Sequence, residues 1–92
     1  MYTKSLASGV TATGGQAQVQ VAPRGSDEMV VQVEITGTAT VDIEGRLNDN
    51  LPWVQLNQVT ASAIVPLAAC PQVRVNVTAY TSGIVNSEVA YR

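Results

Sequence analysis

The sequence holds no His, no Phe, one Cys and one Trp in 92 residues, and only 13% of its side chains are charged. An average soluble domain carries about twice that share of charge. Each shortage excludes something. Without His, the commonest general base and the commonest metal ligand are both missing. The single Cys, Cys70, cannot form an internal disulfide, a Cys-based zinc site or a redox pair. Five basic and seven acidic side chains give a net charge of -2. That is no electrostatic basis for nucleic acid, which is held mostly through neutralised phosphates. No apolar run approaches the roughly 20 residues of a membrane-spanning helix, and residues 1–16 lack the apolar stretch of a signal peptide. The expectations are no nucleic-acid partner, no membrane, no cofactor, no metal, no catalytic residues and synthesis in a cytoplasm.

What is present is Val, at fifteen positions, together with Thr and Ile. These residues suit a pleated surface and disfavour helix. The length corresponds to one domain, which buries roughly 60–65% of its unfolded surface. Val and Ala bury less area than Phe or Leu. A core built from them is expected to be only marginally stable alone and firmer once assembled with partners.

Residues 1–16 are small and polar, end in Gly14-Gly15 and show no clear periodicity, which predicts an extended N-terminal arm, with room for a short strand near Val10, ahead of a single domain at 17–92. From Gln16, the pattern alternates, with Ala17, Val19 and Val21 on one side. Residues 23–27 carry turn chemistry. Met29, Val31, Val33 and Ile35 share a face in the next run. Gly37 then marks a tight turn or bulge before Thr38–Glu44, where Ala39, Val41 and Ile43 oppose Thr40, Asp42 and Glu44. Residues 45–52 form a loop by composition. Further strands are predicted near 53–56, 59–67 and 84–91. In the run 73–80, Val73, Val75, Val77 and Ala79 point inward while Arg74, Asn76, Thr78 and Tyr80 point outward. Pro66 indicates an edge strand or strand end, and residues 68–72 a second loop. Period-2 alternation without helical periodicity predicts an all-β fold, an antiparallel β-sandwich or jelly roll of about seven or eight short strands. A small closed barrel is the competing architecture.

Few side chains offer chemistry. Asp42 and Glu44 are expected on a solvated strand face. Asn48-Asp49-Asn50 is ordinary turn chemistry and does not match a calcium loop. Trp53, the only Trp, is expected to plug the core beneath a loop, with stacking on a sugar as the alternative. Cys70 is expected to be a small, partly buried hydrophobe. Asn76-Val77-Thr78 matches a glycosylation acceptor, without a secretory signal to give it meaning. Arg24, Arg46 and Arg74 are dispersed and suited to bidentate contact with a partner's carboxylates.

The order Val41-Asp42-Ile43-Glu44-Gly45-Arg46-Leu47-Asn48-Asp49-Asn50, then Trp53-Val54-Gln55-Leu56, Val59-Thr60-Ala61-Ser62 and Pro71 through Gly83 resembles small virion proteins of tailed bacteriophages. The resemblance spans about residues 37–83. It implies a capsid decoration (cement) protein that binds the major capsid protein on the head surface, as a dimer or trimer and without a cofactor. On this view the arm drapes over a neighbouring subunit through Tyr2, Lys4 and Leu6, with Arg24, Arg46 and Arg74 as further contacts. A similar ordering occurs in discoidin-like and other jelly-roll sugar-binding modules. A sugar-binding module of a fibre or spike, and a tail or baseplate component, are therefore the alternatives.

Overall fold

A computed structural model describes residues 2–21 and 28–91. The described chain is all-β, with nine strands: β1 (Tyr2–Val10), β2 (Gly14–Gly15), β3 (Val19–Gln20), β4 (Glu28–Ile35), β5 (Thr38–Arg46), β6 (Val54–Val59), β7 (Ala63–Ala68), β8 (Gln72–Ser82) and β9 (Val85–Tyr91). They form two antiparallel sheets packed as a sandwich. The first sheet runs β1-β9-β4-β7. The second runs β2-β8-β5-β6, with β3 also paired to β8. β5 and β6 form a hairpin within the second sheet, whereas β4 to β5, β6 to β7, β7 to β8 and β8 to β9 each cross between sheets.

Alternation sets which side chains meet between the sheets. Met29, Val31 and Val33 of β4, Val85 and Val89 of β9, Val41 and Ile43 of β5, and Val73, Val75 and Val77 of β8 are almost fully buried. Within this aliphatic core Ser87 is also buried, and its hydroxyl donates to the Gln32 carbonyl at 2.8 Å. Among the described residues, no buried side-chain nitrogen or oxygen lacks a hydrogen-bond partner.

Five register shifts interrupt the strand pairings, two in β1–β9, two in β5–β8 and one in β5–β6, and three of them are bulges that change what strict alternation predicts. In β1 the pairs Ser5↔Glu88 and Ala7↔Ser87 leave Leu6 as the extra residue. The bulge turns both Leu6 and Ala7 into the core, and Leu6 is only 3% exposed. The segment expected as an arm is therefore corrected over residues 2–10: it is extended, but it is an edge strand hydrogen-bonded to β9. In β8 the pairs Val77↔Val41 and Ala79↔Thr40 leave Thr78 unpaired. Beyond it the faces exchange, so Ala79 is exposed and Tyr80 packs against the core, the reverse of the expectation. The third bulge lies in β6 at Leu56.

Gly37 lies where the chain leaves the first sheet for the second, and Gly83 where it returns. Gly83 has φ 89°, and a Cβ there would collide with the backbone of Gly37, while one on Gly37 would collide with the Ser82 carbonyl. Only glycine fits this double corner. Gly83→Ala is expected to destabilise by roughly 2 kcal/mol or more, through strain at positive φ plus displaced backbone. Urea unfolding checks this, with an unchanged midpoint as the contrary result.

Candidate functional site

The outer face of the second sheet holds a dense group of charged, amide and aromatic side chains. Pairing creates it. Glu44 faces Arg74, and Arg46 faces Gln72, two rungs apart on the β5–β8 ladder with Gly45↔Val73 between them, so alternation sends all four side chains to the outer face. Arg74 Nε donates to Glu44 Oε1 at 2.7 Å, and both side chains are largely covered. Arg46 Nε donates to Gln72 Oε1 and its Nη2 to Gln18 Oε1, each at 2.7 Å. Nη1 reaches the Leu51 carbonyl and Nη2 the Asp49 carboxylate, each at 3.4 Å.

The loop after β5 folds back onto this cluster. Asn48 Oδ1 accepts from the Asn50 amide at 2.9 Å, an Asx turn that reverses the chain. Gln72 Nε2 then donates to Asp49 Oδ1 at 2.7 Å. Trp53 closes the loop: the guanidinium carbons of Arg46 and Arg74 lie 4.2 and 4.6 Å from the centre of its ring. Both are within cation–π range. Trp53 is half-buried on this outer face and does not belong to the core cluster, which corrects the expectation of a core plug. The physical reason is that its strand begins only at Val54, so alternation does not fix the direction of Trp53, and two guanidiniums offer a better surface than an aliphatic core already filled by Val. Gly15 on β2 leaves room for the Arg74 guanidinium, since a Cβ there would lie 2.6 Å from Nη1.

Asp42 and Glu44 also differ from the expectation of a solvated face. Asp42 is buried and accepts from Gln58 Nε2 at 2.7 Å, and Glu44 is covered by Arg74. Both lie on β5, a central strand whose outer face the loop and the β6 side chains cover. Cys70 is partly buried, and its thiol donates to the Arg46 carbonyl at 3.3 Å.

Of the other residues singled out from the sequence, Tyr2 and Lys4 meet at Tyr91. The Tyr2 and Tyr91 rings are 5.6 Å apart. Lys4 Nζ lies 5.8 Å from the Tyr91 centroid and donates to the Gln20 carbonyl at 3.0 Å. Leu6, expected at a contact surface, is a core residue. Arg24 lies outside the described residues. Arg46 and Arg74, expected as scattered charges, converge on Trp53. Gln18, Asp49 and Gln72 complete the cluster without having been singled out for it. The signal was present only as two short outward patterns, Glu44-x-Arg46 and Gln72-x-Arg74, which acquire meaning once β5 is known to pair with β8.

The Gln72 amide bonded to the Asp49 carboxylate, with Gln18 and the Arg46 guanidinium beside it, holds this carboxyl below its ordinary value of 3.8. A depressed carboxyl contributes stability that is present above its unfolded pKa and lost as pH falls through the lower folded value. Trp53 emission is therefore expected to stay constant from neutral pH down to about pH 4 and to change only below it. Asp49→Asn should remove the acid-dependent change. A transition centred well above pH 4 is the contrary result.

Among the described residues, no group of three or more Cys, Asp or Glu side chains is arranged to hold a metal ion. None forms a helix long and apolar enough to cross a membrane. The chain matches no protein-family model, no curated protein and no solved structure. The chemistry of the cluster is cohesion: guanidinium, carboxylate and amide groups satisfy one another and hold a loop to a sheet.

Proposed function

We propose that the chain is a non-catalytic structural protein of a tailed-bacteriophage virion, a decoration protein that binds the major capsid protein on the assembled head and stiffens it. One observation supports this reading. Glu44, Arg46, Asp49, Trp53 and Arg74 lie in the stretches that carry the resemblance to phage virion proteins, and they are the residues that close the loop onto the second sheet. A pattern whose residues interlock suits a part selected for rigidity. A rigid binder loses little conformational freedom on docking, which favours stoichiometric coverage of a repeated lattice. The test mixes purified protein with heads stripped of it and follows binding and heat resistance. Saturable, stoichiometric binding with a raised disruption temperature is expected. Absence of both contradicts the proposal.

The sugar-binding reading needs Trp53 as a stacking platform. The guanidiniums of Arg46 and Arg74 already lie over that ring, so a sugar would have to compete with them or use what they leave open. Glycan binding that Trp53→Ala abolishes would favour this reading over decoration of the head.

A further inference from the structure

Six large apolar side chains are exposed among the described residues: Tyr2, Leu47, Leu51, Val54, Ile64 and Ile84. The first four gather at one end of the sandwich. Tyr2 pairs with Tyr91, which also pairs with Met29, at the ends of β1, β9 and β4. Val54 pairs with Gly45 at the β5–β6 hairpin, beside Leu47 and Leu51 of the intervening loop. The Lys4–Gln20 bond and the Gln20↔Gln72 and Gln72↔Arg46 pairings join these ends of the two sheets.

Two features distinguish this end from a chance exposure of leucines. The first is that the loop is held in place. Arg46, Asp49, Asn48, Gln72 and Trp53 fix it to the sheet, yet Leu47 remains 66% and Val54 58% exposed. A clamped loop displaying apolar side chains is preorganised for contact. The second is charge. Among the described residues, Lys4 is the one cation not paired with a carboxylate, and the Asp49 side chain is 75% exposed. Lys4 hangs from the Gln20 carbonyl and Asp49 from the Gln72 amide, and Gln20 and Gln72 face each other across the β3–β8 ladder. The two charges flank the same rung, one attached to each sheet.

From this we infer that the apolar end is a self-association surface for a second copy of the chain across a two-fold axis. An axis lying across this end, parallel to the sheets, sets the first-sheet side of each copy against the second-sheet side of the other. Tyr2 and Lys4 of each copy then face Leu47, Leu51 and Asp49 of the other, and the opposite charges meet twice, as an isologous interface requires. The other surfaces are less suited to self-pairing. The outer face of the first sheet carries Glu28, Glu34 and Glu88, which repel their equivalents. The sheet edges are blunted by bulges in β1 and β6, by Pro66 in β7 and by the two-residue length of β2 and β3. This inference does not depend on the nature of any larger assembly.

Sedimentation equilibrium of the full chain tests it. The expected result is a monomer–dimer equilibrium with a dissociation constant between about 1 μM and about 1 mM, the range of a small interface. Leu47→Ser with Leu51→Ser, and separately Lys4→Glu, should each weaken it about tenfold or more. Ile64→Ser, on the first sheet's outer face, should leave it unchanged. The inference is overturned if the wild type remains monomeric up to about 1 mM or forms a trimer. It is equally overturned if Ile64→Ser dissociates a dimer that the loop variant leaves intact.

Discussion

Deletion of residues 1–10 should leave a chain that no longer unfolds cooperatively. Tyr2–Val10 of that segment are the edge strand β1, paired with β9 from Tyr2↔Tyr91 to Val10↔Val85. Their loss uncovers Val85, Val89 and Tyr91 and removes Leu6 and Ala7 from the core. Leu6→Ala alone is expected to cost about 2–5 kcal/mol, through lost transfer energy and a residual cavity. In a domain of this size that lowers the melting temperature by roughly 10 °C or more. Loss of the whole strand adds the β9 backbone partners and the Tyr2–Tyr91 contact, and the sum approaches the 5–15 kcal/mol or so that holds a typical domain folded. Circular dichroism melts of the two variants check both statements. If residues 1–10 were a free arm, the deletion would melt like the full chain.

The second large effect is expected at Arg46. Arg46→Ala removes two 2.7 Å donations to Gln72 and Gln18, the contact to the Leu51 carbonyl, the Asp49 pairing and one of the two cations over Trp53. It also leaves the Gln72 and Gln18 carbonyl oxygens without their donor. The expected loss is about 2–4 kcal/mol. Arg46→Lys should recover only part of it, because one ammonium cannot make the divergent contacts of a planar fork. Trp53 is the only Trp in the chain, so its fluorescence reports on this loop alone. Emission should shift to the red in Arg46→Ala at temperatures where circular dichroism still shows the β-sheet intact. Emission identical to the wild type would mean that Arg46 does not hold Trp53.

The same physics explains which parts of the molecule could be read in advance. Alternation is a local property, and wherever strands run without a bulge it reports the buried face correctly. Met29, Val31 and Val33, then Ala39, Val41 and Ile43, and Val73, Val75 and Val77 all pointed inward as their spacing predicts. It fails where the backbone adds a residue. At Leu6 and Thr78 the bulges shift the phase, so the β1 sequence lacks the alternation of a strand and Tyr80 lies on the face opposite to the one its spacing predicts. The outer cluster was illegible for a different reason. Arg46 and Gln72 are 26 positions apart, and nothing local to either says that β5 pairs with β8 in the register that sets them opposite each other. Scattered arginines and an isolated Trp become one clamp only through pairings between distant segments. Gln72 was hidden further, because its neighbours Cys70 and Pro71 suggest a loop, whereas it is the first residue of β8.

The polar residues of the second sheet make a rigid body of the loop at 47–53, with its apolar side chains held outward. Backbone ¹⁵N relaxation across that loop tests this most directly. Order parameters near 0.85, matching β5 and β8, are expected in the wild type, with a fall toward about 0.6 in Arg46→Ala. Values already below about 0.6 in the wild type would mean instead that the loop moves freely and is not clamped to the sheet.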